Sequence, residues 1–172
     1  LKQLGYNLSS DELSSCFDRF KVLCDKKKTV SDRDIEALVR NRDSETCHRY
    51  ILKGFSVHAG CQEAATAVIT LEKDGKTFEE VALGNGPVDA AFKAVDKIIN
   101  PPEYSFENYV IQSVSEGKDS LGEVLTTLRI GEHLFTGRGL STDVIEASIE
   151  AYVLTQNNLL EYHERQGGKI NV

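Results

Sequence analysis

The sequence predicts an α+β fold, in which a duplicated βββα unit follows a small helical subdomain. Three observations carry that prediction. Asp74-Gly75 and Gly131-Glu132 are tight-turn signals, each lying between runs rich in β-branched residues, as in a β-hairpin. Each hairpin pattern is followed by glycines and then by a stretch with apolar residues at helical spacing. The residues before Asn41 carry helical periodicity and cap signals instead. Strand, strand, strand, helix thus occurs twice, and such self-similarity predicts internal pseudo-symmetry.

In the first segment, Ser9-Ser10-Asp11-Glu12 reads as a capping box with Ser9 at the N-cap, followed by Leu13, Cys16, Phe17, Phe20, Leu23 and Cys24 along one apolar face. A second, shorter helix begins at Ser31, with Asp34 three residues on, and carries Ile35, Leu38 and Val39. Two short helices bury little by themselves, so this segment is expected to need another surface to pack on. The polar run 41–45 marks a boundary, giving a helical linker subdomain over 1–47 and a second domain over 48–172, with repeats at about 48–100 and 105–165.

Within the first repeat, the predicted strands are Tyr50 to Val57, Ala64 to Glu72 and Lys76 to Leu83. Gly84-Asn85-Gly86-Pro87 then opens a helix with Val88, Ala91, Phe92, Val95, Ile98 and Ile99 on one side, stopped by Asn100-Pro101-Pro102. In the second repeat the strands are Tyr109 to Ser115, Gly122 to Ile130 and His133 to Thr136. Gly137-Arg138-Gly139 reads as a second helix-opening turn, before a helix with Val144, Ile145, Ser148, Ile149, Tyr152 and Val153. A three-stranded sheet with one helix leaves a face uncovered, which a second unit or a second chain would cover; a homodimer is expected.

Composition bounds the function. The chain has 172 residues, 40% hydrophobic and 27% charged, enough to pack a core. The net charge of −7 argues against nucleic acid or an anionic membrane as partner. The one basic cluster, Lys26-Lys27-Lys28, reads as a cationic helix C-terminus favoured by the helix dipole. No apolar run reaches the roughly 18 residues of a membrane span, and no signal peptide is visible. The sequence opens on Leu1 and contains no Met, so a piece of a longer chain is expected. Cys16, Cys24, Cys47 and Cys61 form no CxxC pair and read as reduced thiols of a cytoplasmic protein. His48, His58, His133 and His163 are scattered without metal-ligand spacing. No nucleophile elbow, phosphate loop or acid–base pair stands out.

The chemistry-bearing feature is the Gly84-Asn85-Gly86-Pro87 turn. A Gly-x-Gly that ends a strand and opens a helix leaves backbone N–H groups at a positive helix end, a general anion site. Pro87 suits the first helical turn because its missing N–H is not needed there. Asp89 adds a carboxylate in the same turn. N–H donors beside a carboxylate suit a zwitterion, the donors taking an α-carboxylate and Asp89 an α-ammonium. The competing reading is that Asp89 caps its own helix and the glycines only make a tight turn.

These residues carry a family resemblance. Leu4-Gly5-Tyr6 through Phe20-Lys21, Asp25-Lys26-Lys27-Lys28 and Asp34-Ile35-Glu36-Ala37-Leu38 resemble the linker of α-isopropylmalate and citramalate synthases. Gly84-Asn85-Gly86-Pro87-Val88-Asp89-Ala90, Ser115-Glu116-Gly117 and the run 137–148 resemble motifs of their C-terminal regulatory domain. The resemblance implies a pseudo-symmetric dimeric regulatory domain that binds the end-product amino acid as feedback inhibitor. It also implies an upstream catalytic barrel, absent from this sequence, that condenses acetyl-CoA with a 2-oxo acid such as 2-oxoisovalerate and holds a divalent metal; no cofactor is expected here. By this likeness the effector site comprises Asn85, Gly86, Val88 and Asp89 in the first turn, Phe106, Tyr109 and Ser113 on a strand of the second repeat, Ser120 in the loop after it, and Ser141 and Thr142 in the second turn. Ser113 and Thr142 depart from the alanine and proline of many relatives, and core packing is the competing role for Phe106 and Tyr109. Val88 and the small Ser113 match the leucine-responsive pattern better than the isoleucine-responsive one. The expected function is therefore leucine-responsive feedback regulation in leucine biosynthesis, with the effector at a dimer interface. The alternatives are an isoleucine-binding citramalate synthase domain, a purely structural dimerisation module, and an independent enzyme, for which no catalytic residues are found.

Overall fold

A computed structural model of the chain describes residues 10–27, 30–40, 50–61, 63–114 and 120–165. Two helices, α1 (Ser10–Lys26) and α2 (Asp32–Arg40), precede two βββα units. The first unit comprises β1 (Ile51–His58), β2 (Ala65–Lys73), β3 (Lys76–Gly84) and α3 (Pro87–Ile99). The second comprises β4 (Ser105–Ser113), β5 (Gly122–Ile130), β6 (His133–Ser141) and α4 (Val144–Arg165). The α+β class and the duplicated βββα order are as predicted; Ser9, the expected first N-cap, lies outside the described residues.

The start of α2 is a reciprocal capping box. The Ser31 N–H donates to Asp34 Oδ2 at 2.8 Å, and the Asp34 N–H returns to Ser31 Oγ at 3.4 Å. Lys27 Nζ donates to the same Asp34 oxygen at 2.7 Å, with both side chains buried. Lys26 and Lys27 of the cluster do stand at the C-terminal end of α1, and Lys27 in addition ties α1 to α2 through a buried ion pair. The apolar stripe of α1 is also narrower than expected. Cys16, Phe20 and Leu23 pack with Leu38, Val39 and Leu121, whereas Leu13, Phe17 and Cys24 face outward.

Each sheet is a three-stranded antiparallel meander with its second strand in the centre, β1-β2-β3 and β4-β5-β6. The alternation of side chains along β2 places Ala65, Ala67, Ile69 and Leu71 on the buried face. Asp74 and Gly75 both have positive φ (52° and 73°), as a type I′ hairpin requires. The pseudo-symmetry extends to irregularities. Both first strands carry a register break, between Leu52 and Gly54 in β1 and between Phe106 and Asn108 in β4. The β4 break interrupts period-two alternation, which explains why the strand begins at Ser105 rather than at the expected Tyr109.

One expectation is overturned. Gly137 and Gly139 do not form a helix-opening turn, because β6 continues through them to Ser141. A Cβ at Gly139 would collide with the Ala147 carbonyl, and one at Gly137 with the Ala151 carbonyl. These glycines let α4 lie close against the strand. The strand ends define the true equivalence: Gly84 pairs with Ala65 and Ser141 with Gly122, so Ser141-Thr142-Asp143 is the counterpart of Gly84-Asn85-Gly86.

Each helix packs on its own sheet, α3 on β2 and β3, α4 on β5 and β6, and the helices pack on each other. Phe92 of α3 stacks on Tyr152 of α4 with ring centroids 4.0 Å apart, and one turn later Asp96 accepts hydrogen bonds from Tyr152 and Gln156. A step of one turn along α3 matches a step of one turn along α4, so the two helices run parallel. The core draws residues from both sheets and both helices. Asn157 joins α4 to the first unit, accepting the Tyr50 N–H and donating to the Tyr50 carbonyl, both at 2.9 Å.

Candidate functional site

Parallel packing of α3 and α4 sets both helix N-termini at one end of the fold. The two ends differ. At α3 the N-cap is Gly86, in extended backbone, with no side-chain cap and with Pro87 next. The first-turn N–H groups of Val88 and Asp89 therefore stand at a positive helix end that no side chain caps. At α4 the Asp143 side chain caps the helix, accepting the Ile145 N–H at 2.8 Å and the Glu146 N–H at 3.4 Å. The duplicated unit thus presents one uncapped and one capped terminus.

Asp89 Oδ2 accepts the Asn85 N–H at 2.8 Å and the Lys93 ammonium at 2.7 Å. These bonds, Lys93 first and then Asn85, hold the carboxyl below its ordinary value, so it is ionised at neutral pH. Asp89 braces the turn through the Asn85 N–H rather than capping its own helix, and both bonds fall on a single oxygen.

The second-repeat residues form a corner. Ser113 pairs with Gly122, and Gly122 with Ser141, placing the end of β4 beside the second turn. Ser113 Oγ lies 3.5 Å from Ser120 Oγ. Ser141 Oγ accepts the Asp143 N–H at 3.1 Å and donates to the Glu146 carboxylate. Thr142 is half-buried next to it.

Phe106 and Tyr109 belong to an aromatic cluster rather than to the corner. Phe92 stacks on Phe106 at 5.8 Å and meets the edge of Tyr109 at 6.1 Å. Tyr109 is further held by a 2.6 Å hydrogen bond between its hydroxyl and Ser148 Oγ. Phe106 remains 44% exposed, which is more open than plain core packing. Phe92, Ser148 and Tyr152 are the members that sequence reading missed as site neighbours. Their helical spacing signalled burial without showing that two helices would bring them together.

Beneath the stack, Asp96 accepts hydrogen bonds from Tyr104 Oη at 2.5 Å, Tyr152 Oη at 2.7 Å and Gln156 Nε2 at 2.9 Å, which brings the two tyrosine hydroxyl oxygens into contact with one another. Burial pushes the Asp96 carboxyl above its ordinary value despite these three donors. Burial likewise raises both tyrosine hydroxyls, assisted by Asp96. The network joins α3 to α4 and fixes their register.

Among the described residues there is no cluster of three or more His, Cys, Asp or Glu able to hold a metal ion. Nor is any helix of the described residues long and apolar enough to cross a membrane.

A family model described as the LeuA allosteric (dimerisation) domain matches residues 29–160. The chain is 44% identical over 161 residues to the 2-isopropylmalate synthase of Pelotomaculum thermopropionicum, covering 93% of this chain and 32% of that protein. It is 41% identical over 170 residues to the enzyme of the same name from Carboxydothermus hydrogenoformans (98% and 33%). With that from Brevibacillus brevis the identity is 43% over 162 residues (94% and 31%). The chain spans about a third of the length of these curated relatives.

Proposed function

Because the chain belongs to the LeuA allosteric (dimerisation) domain family, we propose that it is the feedback-regulatory part of a 2-isopropylmalate synthase acting in leucine biosynthesis. Residues 1–47 would serve as the connector to a catalytic barrel of that protein, and residues 48–172 as the part that dimerises and binds leucine. The observation that carries this reading is the uncapped N-terminus of α3 beside an ionised carboxylate. The N–H groups of Val88 and Asp89 suit an α-carboxylate, and Asp89 Oδ1 suits an α-ammonium. Val88 and the open aromatic face of Phe106 suit an aliphatic side chain. The two-state coupling that feedback requires would run through the connector, with leucine preferring one arrangement over the other.

The homodimer is supported by the first sheet. Val81 and Leu83 alternate with the inward Ala82 and Gly84, and they stand 47% and 63% exposed on the opposite face. An apolar sheet face of this kind suits a second copy.

Thermal unfolding with each branched-chain amino acid tests the reading. Leucine at about 100 times its Kd is expected to stabilise the chain by about 2.7 kcal/mol, a rise of about 5–10 °C for a domain of this size. The Asp89→Ala variant is expected to lose most of that rise. A response to isoleucine instead would assign the citramalate-synthase type of regulation, and a response to neither would leave a dimerisation module.

A further inference from the structure

Four side chains meet where α3, α4 and the segment before β4 converge: Asp96 of α3, Tyr104, and Tyr152 and Gln156 of α4. Three oxygen contacts close a ring among them. Asp96 Oδ2 meets Tyr104 Oη at 2.5 Å, Tyr104 Oη meets Tyr152 Oη, and Tyr152 Oη meets Asp96 Oδ1 at 2.7 Å. Each contact needs one proton, and each phenol supplies one. If Asp96 is ionised, the ring holds two protons for three contacts. Both phenols then donate to the carboxylate, and their oxygens face one another with no proton between, which is costly away from water. Gln156 does not mend this. Its N–H groups go to Asp96 Oδ1 at 2.9 Å and to Tyr152 Oη at 3.0 Å, and its buried Oε1 finds no donor among the described residues. The cluster has more acceptors than protons.

We propose that Asp96 carries the missing proton, on Oδ2, and that this proton latches α3 to α4. With it the ring closes in one direction. Asp96 Oδ2–H donates to Tyr104 Oη, the Tyr104 hydroxyl donates to Tyr152 Oη, and the Tyr152 hydroxyl donates to Asp96 Oδ1. Oδ1 is the accepting oxygen because Gln156 donates to it as well. Loss of the proton leaves one contact without any, and that contact must open. Tyr152 also stacks on Phe92, and Phe92 on Phe106, so the opening reaches the aromatic cluster. Burial, which pushes the Asp96 carboxyl up, acts in the same direction. The cations on its own helix are engaged elsewhere, Lys93 with Asp89 and Lys97 with the Val81 carbonyl. Glu103 lines the hollow beside Asp96. On the other side of Tyr104, Arg129 and His163 line a second hollow, where Arg129 is paired with Glu107. The faces that β1, β2 and β3 turn toward α3 are apolar, with Phe55, Ile69 and Ala82.

The test is carbon NMR titration of the aspartate carboxyl groups in the 172-residue chain, with the Asp96 signal identified by its loss in Asp96→Asn. Asp96 is expected to titrate above the ordinary 3.8. The ring signals of Tyr104 and Tyr152 should move with the same midpoint, and amide exchange in α3 and α4 should quicken as the proton leaves. In Asp96→Asn an Nδ2 N–H takes the place of the Oδ2 proton. The tyrosine signals of that variant should hold their low-pH positions throughout, which also separates Asp96 from His163. Tyr104→Phe distinguishes the ring from burial. It leaves one oxygen contact, Tyr152 with Asp96, which needs no carboxyl proton, so Asp96 should titrate at lower pH than in the wild type. If burial alone held the proton, removing a donor to the carboxylate would move the titration upward instead. An upward shift in Tyr104→Phe would overturn the proposal. So would a wild-type Asp96 that titrates at or below 3.8, or whose titration the two tyrosines do not follow, and these readings need no variant to fold beyond the one that assigns the signal.

Discussion

The closeness of α4 to β6 rests on Gly137 and Gly139, and replacing one of them measures it. In Gly139→Ala the new methyl would lie inside contact distance of the Ala147 carbonyl and also 2.8 Å from the Ala151 N. Both neighbours are helix backbone, which cannot step aside as a flexible side chain would. The helix must move off the strand, opening contacts made by Ala147 and Ala151, which are fully buried. Overpacking of this kind costs about 1–3 kcal/mol, and at about 2–4 °C per kcal/mol the thermal midpoint should fall by about 2–12 °C. The control is Gly54→Ala, also in a strand, where an added Cβ meets nothing within 4 Å. That change should be neutral or stabilise by up to about 1 kcal/mol, because it removes unfolded-state freedom at no steric cost. Urea unfolding of both variants at fixed protein concentration provides the comparison. Equal stability of the two variants would refute the packing role and return Gly139 to the turn-forming role suggested by its sequence pattern.

Two further outcomes are expected. Asn157→Ala would leave the buried N–H and carbonyl of Tyr50 without their partner, at about 1–3 kcal/mol for each orphaned group, and should lower the urea midpoint. Asp96 should make stability depend on pH with an unusual sign. Its folded carboxyl titrates above the ordinary 3.8, so the folded state binds the proton more tightly than the unfolded chain. The cost of the buried charge is present above the folded pKa and is relieved as pH falls through it toward 3.8. Wild-type stability relative to Asp96→Asn should therefore rise on acidification through that window, and a fall would show that the three donors outweigh desolvation.

Features legible in the chain were those whose cause lies within a few residues. Asp74-Gly75 announces its hairpin because a type I′ turn needs positive φ at both positions. Ser31 and Asp34 announce a helix start because the cap closes across three residues. The α3 periodicity and its stop at Asn100-Pro101 are likewise local. The motif Gly84-Asn85-Gly86-Pro87-Val88-Asp89 could be singled out for the same reason, and its neighbour Lys93 lies one helical turn on.

What stayed hidden depended on partners far along the chain. Lys27 read only as part of a cationic helix end, because its partner Asp34 is set by how α2 folds back. Gly137 and Gly139 looked like a turn because a strand glycine needed for a crossing helix has the same local signature as a loop glycine. The α+β class, the duplication and the starts of α2 and α3 were determined by the sequence alone, through short-range sterics, hydrogen bonding and periodic burial. Only the tertiary structure decided that α3 and α4 lie parallel and that one of their N-termini is capped and the other bare. Those outcomes follow from side chains such as Phe92, Asp96 and Tyr152 finding one another across 56 or more positions of sequence, where no local rule reaches.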